Sequence, residues 1–125
     1  MSKPPSPRMR KVNELLREIL AEEVTELKDP RIGFLTITGV DTAPNLRNAT
    51  VFFSVLGDDD ATRETGEALT HAHSRLQRAI ARQARLKYTP VLEFEPDRAI
   101  EQGMRIDEIL RHLHDEDDPD PEEAT

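Results

Sequence analysis

The chain has no cysteine and no tryptophan, one tyrosine and four phenylalanines, and it nowhere carries about 18 apolar residues in a row. Without cysteine there is no disulfide framework, no thiolate zinc site and no cysteine nucleophile, and a reducing compartment suits the composition. With few aromatics and 36% hydrophobic residues, the core must be modest and built from Leu, Ile, Val and Ala. A large apolar ligand cavity, and with it a small-molecule substrate, is not expected. The opening stretch MSKPPSPRMRKVNELL has early cations but no apolar h-region, so the expectation is a soluble cytoplasmic protein that makes no membrane contact. No P-loop, glycine-rich nucleotide turn or Ser/His/Asp arrangement is present, which points away from enzyme chemistry and from a cofactor.

At 125 residues the chain is the size of one domain with one core. Its net charge of −8 is unevenly distributed. The last eleven residues, DEDDPDPEEAT, carry seven of the 25 acids and no base, so the remainder holds 18 acids against 17 bases, a balance of −1. Within that near-neutral remainder, HSRLQRAIARQARLKYTP, residues His73 to Pro90, holds Arg75, Arg78, Arg82, Arg85 and Lys87 and no acid. Charge segregated in this way is what an electrostatic binding face requires.

Residues 1–7 read as a flexible Pro-rich arm, in which Ser6-Pro7 resembles an N-cap followed by proline at the first helical position. A helix is predicted from there to about Leu27, with Val12, Leu16, Ile19, Glu23 and Leu27 on one stripe widened by Leu15, Leu20 and Val24. Lys28-Asp29-Pro30 is expected to end it. Residues 34–40 and 49–56 read as an antiparallel strand pair joined by a long loop through Pro44-Asn45. Asp60 is predicted to cap a helix over residues 61–72, in which Gly66 costs about 1 kcal/mol relative to alanine. Ser74-x-x-Gln77 fits a capping box, so a second helix should start at Ser74, immediately after the first. On it Arg75, Arg78, Arg82 and Arg85 share an arc of about 80°, apart from Leu76, Ala79, Ile80, Ala84 and Leu86. Tyr88 to Glu95 reads as a third strand with Val91, Leu92 and Phe94 as its apolar members, and residues 98–112 as a last helix. Residues 115–125 have nothing to bury and should be disordered. The domain proper is therefore expected over 8–114.

A helix N-terminus at Ser74 suits one phosphate, and arginines in a stripe can follow further phosphates with bidentate contacts. Double-stranded RNA is read mainly by shape, phosphates and 2′-hydroxyls, so few aromatics are needed. A charged stripe is commonly no more than a solvated face, but here the absence of acids favours binding. Lys3, Arg8, Arg10 and Lys11 form a second basic cluster that opposes the dipole of the first helix, and it fits either a partner or a solubilising terminus. Arg31 has two readings, contact with RNA or a bridge to Asp29 or Glu26. The histidine pairs His71/His73 and His112/His114 are each two apart, which on a helix points them in different directions, so no metal site is expected. Asp58-Asp59-Asp60 is explained as a helix-capping loop rather than a Mg²⁺ site.

The order α-β-β-α-α-β with two abutting helices is the layout of the type II KH domain, an α+β fold. Three segments go further: Glu26-Leu27-Lys28-Asp29-Pro30-Arg31-Ile32-Gly33, Arg85-Leu86-Lys87-Tyr88-Thr89-Pro90-Val91-Leu92-Glu93-Phe94, and Gly103-Met104-Arg105-Ile106-Asp107-Glu108-Ile109-Leu110. In this order and spacing they closely resemble the ribosome-binding factor A family of bacterial small-subunit maturation factors, a match that runs from Arg8 through Leu113. The resemblance implies a non-catalytic monomer that binds the immature 30S subunit and its 16S rRNA, including the 5′-terminal helix region, and is linked to growth in the cold. It also implies an A-x-G kink in place of the GXXG loop. The matching position here is Ala72-His73-Ser74, with serine where the glycine would stand. RNA contacts are then expected at Ser74, Arg75, Arg78, Arg82, Arg85, Lys87, Arg8, Arg10, Lys11 and Arg31. Two rival readings are a helix-turn-helix DNA-binding protein, against which the flanking strands argue, and a pure protein-interaction module.

Overall fold

The computed structural model describes residues 5–98. The elements run α1 (Pro7–Val24), β1 (Leu35–Thr42), β2 (Asn48–Val55), α2 (Asp59–His71), α3 (His73–Gln83) and β3 (Val91–Pro96). The predicted last helix, the acidic tail, Lys3, His112 and His114 lie outside the described residues.

Helix α1 starts as its sequence predicts. Ser6 stays extended, its hydroxyl accepts the Met9 N–H at 3.1 Å, and Pro7 occupies the first turn, where no N–H is missed. The helix ends at Val24, not Leu27. Thr25, Glu26 and Leu27 turn their N–H groups to carbonyls three residues back, and the Thr25 hydroxyl donates to Glu22 O at 2.6 Å. This tightening closes the α-helix well before Pro30 and so uncouples its end from the proline.

The sheet order is β1-β2-β3, with β1 antiparallel to β2 and β2 parallel to β3. The first two strands form the expected hairpin, with a register shift between Ile37 and Gly39. Alternation then gives one dry face, Ile37, Val40, Ala49, Val51, Phe53 and Leu92. The helices cover that face with Leu16, Ile19, Leu20 and Val24 from α1, Leu69 from α2, and Leu76, Ala79 and Ile80 from α3. Of the apolar members of β3 only Leu92 is fully inside, whereas Phe94 is half-buried and Val91 is 51% exposed. The strand begins at Val91 rather than Tyr88, because Pro90 has no N–H for the ladder and Val91 is the first residue to pair with β2.

Helix α2 is capped by Asp58, two residues before the predicted Asp60. The Asp58 carboxylate accepts the Ala61 N–H at 2.9 Å, and Gly57, at φ 149°, makes the turn into the cap. Gly66 has a packing reason. A Cβ there would stand 3.3 Å from Phe53 Cζ, so its absence lets α2 lie close over the sheet. Among the described residues no helix is long and apolar enough to cross a membrane.

Candidate nucleic-acid interface

The two helices meet at Ala72, at φ −88° and ψ 11°, without a side-chain cap. The Ala72 N–H bonds back to Ala68 O and Leu69 O at 3.0 and 3.1 Å, and its carbonyl accepts the Leu76 N–H at 3.0 Å. Bonding therefore runs through the kink with no glycine and no positive φ. Ser74 is not the cap, because α3 already begins at His73 and Ser74 lies exposed in its first turn. The capping box is overturned for a second reason: Gln77 is engaged elsewhere. Its Nε2 donates to Pro90 O at 2.9 Å and its Oε1 accepts the Leu92 N–H at 2.7 Å, which clips α3 to the start of β3.

His73 completes that clip. Its Nε2 lies 3.2 Å from Leu92 O, which can only accept, so this nitrogen carries the proton, and the ring meets Phe94 edge-on at 6.5 Å. With His73 against Leu92 and Gln77 against Pro90, α3 runs antiparallel to β3, towards the end of the sheet where β2 and β3 begin.

That end collects the cations. The amide oxygen of Asn13 accepts the Thr42 N–H at 2.8 Å, which sets the first turn of α1, with exposed Arg8, Arg10 and Lys11, beside the β1–β2 loop. Arg10 also donates to Pro5 O at 3.0 Å. The loop presents Arg47, whose guanidinium lies over the Tyr88 ring at 4.2 Å from its centroid, while the Lys87 ammonium is 5.5 Å from the same centroid. Arg78 and Arg82 lie exposed on α3 and lead towards this end. Arg85 is exposed too but stands beyond the helix, whose last residue is Gln83, so the helical stripe holds three arginines rather than four.

Ion pairing divides the cations. Arg31 is bidentate on Asp29, with Nε 3.0 Å from Oδ1 and Nη2 2.6 Å from Oδ2, so the bridge to Asp29, one of its two readings, is formed. Those hydrogen bonds, with the Arg31 N–H as a further donor, lower the Asp29 pKa to about 2. Arg63 pairs with Asp60, Glu64 and Glu67. Arg75 pairs with Glu23 at 2.9 Å and so ties α3 to α1 instead of standing free. Among the described residues Arg47, Arg78, Arg82, Arg85 and Lys87 have no ion pair, and neither do Arg8, Arg10 and Lys11. Cations left unpaired among the described residues are available for an external polyanion.

Sequence reasoning missed Arg47. The signal was there, because Thr42 to Leu56 contains this one cation and no acid. What it could not supply was the long-range contact to Tyr88. Among the described residues no three His, Cys, Asp or Glu side chains come together as a metal site would need.

A mixed three-stranded sheet, covered on one face by an N-terminal helix and a helix–kink–helix pair without a GXXG loop, defines a type II KH-like domain. The sequence model described as ribosome-binding factor A matches residues 8–110. The chain is 43% identical to the ribosome-binding factor A of Geobacter sulfurreducens over 110 residues, covering 87% of this chain and 93% of that one. The crystal structure of ribosome-binding factor A from Thermus thermophilus superposes with a TM-score of 0.66 at 32% identity, over 73% of this chain and 98% of that one. A Thermus thermophilus ribosome-binding factor A fitted into the cryo-EM map of a 30S complex gives a TM-score of 0.59 at 34% identity, over 69% and 91%. This chain belongs to the ribosome-binding factor A family.

Proposed function

We propose that this protein binds the free, immature 30S subunit in the cytoplasm and acts late in its maturation, as a non-catalytic monomer. In this reading it contacts 16S rRNA, including the 5′-terminal helix region, supports rRNA processing and sustains growth in the cold. The observation that carries the proposal is the row of exposed arginines that have no ion pair among the described residues, Arg78 and Arg82 on α3 and Arg85 beyond it, with Arg47 and Lys87 at the same end of the sheet. RNA phosphates are the polyanion that such a row fits, because guanidinium groups take phosphate oxygens bidentately and the spacing along a helix lets successive side chains reach successive phosphates. The family relative fitted into a 30S complex supports the choice of that subunit.

Arg31 and Arg75 leave the list of primary contacts, since each is occupied by a carboxylate. Arg8, Arg10 and Lys11 remain on it, because cations at the start of α1 oppose its dipole and have no carboxylate partner among the described residues. Sedimentation of cell extract tests the proposal. The protein should travel with free small subunits and be absent from whole ribosomes, and equal association with both would contradict it.

A further inference from the structure

The only tyrosine of the chain is not used by the core. Tyr88 is 37% exposed and stands outside the cluster of apolar residues that joins the helices to the sheet. Its ring is instead the floor for a guanidinium from a different element. The arginine that covers it is held from both sides: the Arg47 N–H donates to Asn45 Oδ1 at 3.0 Å, and Arg47 O accepts the Val91 N–H at 2.9 Å. The loop is thereby tied to β3, and the stack is set before any ligand arrives. Arg47 has no ion pair among the described residues, and the two segments that build the stack, Thr42–Leu56 and His73–Pro90, hold no acid.

We propose that the Arg47–Tyr88 stack is a subsite for one unpaired RNA base, which lies against the exposed π-surface of the pair while Lys87 and Arg85 take the adjoining phosphates. The inference rests on the RNA-binding reading of α3 and extends it from duplex to single strand. A guanidinium over an aromatic ring is a flat, delocalised cation that accepts any base by stacking and cation–π attraction. Bases inside a duplex have no free face to offer, so the subsite selects single-stranded or flipped-out nucleotides.

With no tryptophan and a single tyrosine, the intrinsic fluorescence of the chain in the tyrosine band belongs to Tyr88 alone. Titrating the full chain with an unstructured oligoadenylate of about eight nucleotides should quench that emission saturably, and a blunt RNA duplex should bind with little quenching. Tyr88→Leu should weaken oligoadenylate binding by about 5- to 150-fold and duplex binding by less than about two-fold, whereas Tyr88→Phe should keep single-strand affinity within about three-fold. An exposed loop position makes all three proteins foldable, which their melting curves verify. Oligoadenylate binding with unchanged emission, or a Tyr88→Leu variant that binds both RNAs like the wild type, would overturn the stacking inference while leaving the arginine face intact. If neither RNA binds at low salt, the RNA reading of α3 fails and the subsite fails with it.

Discussion

Glu23 on α1 and Arg75 on α3 meet 52 residues apart in sequence, with the guanidinium Nε 2.9 Å from the carboxylate. Glu23 is the misfit in the apolar stripe of α1, and its side chain is 16% exposed against 43% for the arginine. Arg75 Nη1 also lies 3.5 Å from Glu26 O. The pair therefore acts within the fold, and replacing Arg75 should move stability before it moves RNA binding. We expect Arg75→Glu to destabilise by about 1 to 2 kcal/mol, through loss of the pair and repulsion of two carboxylates on a half-covered surface. Combining it with Glu23→Arg should restore about half of that loss, as thermal melting of the three variants would show.

The kink gives a prediction opposite in sign to the one its sequence suggests. As a cap, Ser74 would be hurt more by alanine than by glycine; in the first turn of a helix that already began at His73, the order reverses. Ser74→Ala should be neutral to within about 0.5 kcal/mol and Ser74→Gly should cost about 0.5 to 1 kcal/mol. Gln77→Ala should cost about 1 to 3 kcal/mol, since it leaves Leu92 N–H and Pro90 O without their partner. Chemical denaturation of the three variants decides between the two accounts.

The contrast shows where sequence pattern is sufficient. Element order through β3, the hairpin, the Ser6 cap and most buried positions of α1 and α3 follow from periodicity and local chemistry, because each is set within a few residues, although Leu15, placed on the apolar stripe of α1, is 39% exposed. Gln77, Arg75 and Arg47 escape such reasoning for one shared cause. Their side chains have a local partner on paper, a serine cap, solvent or nothing, and a long-range partner in the fold, and only the tertiary arrangement brings Leu92, Glu23 and Tyr88 within reach. For Arg31 the sequence offers two readings, and the one that needs only a neighbour two positions away, the bridge to Asp29, is formed in the fold.

Asp29 supplies a pH signature. The Arg31 side-chain hydrogen bonds, then the Arg31 N–H, lower its pKa from 3.8 to about 2. A depressed carboxylate contributes stability that is present above its unfolded value and lost as pH falls through the folded one, so the contribution should fade between about pH 4 and pH 2. Both side chains are solvent-accessible, which keeps the contribution small. Carboxyl-carbon NMR should find Asp29 titrating at about 2 in the wild type and shifted up towards, but still below, the ordinary aspartate value in Arg31→Met, which loses the guanidinium and keeps the backbone N–H donor; an unshifted Asp29 in the wild type would contradict the bidentate pair.

If the unpaired cations of α3 face rRNA, the salt dependence of binding must report them. Arg78→Glu with Arg82→Glu is the variant to use, because neither arginine has an ion pair among the described residues. Its circular dichroism and melting should stay close to wild type. Binding to free 30S subunits should weaken strongly, and the slope of log K against log salt should flatten by about 1.4 to 1.8, the loss of two phosphate contacts. A folded double variant that binds 30S subunits with wild-type affinity and an unchanged slope would contradict the assignment.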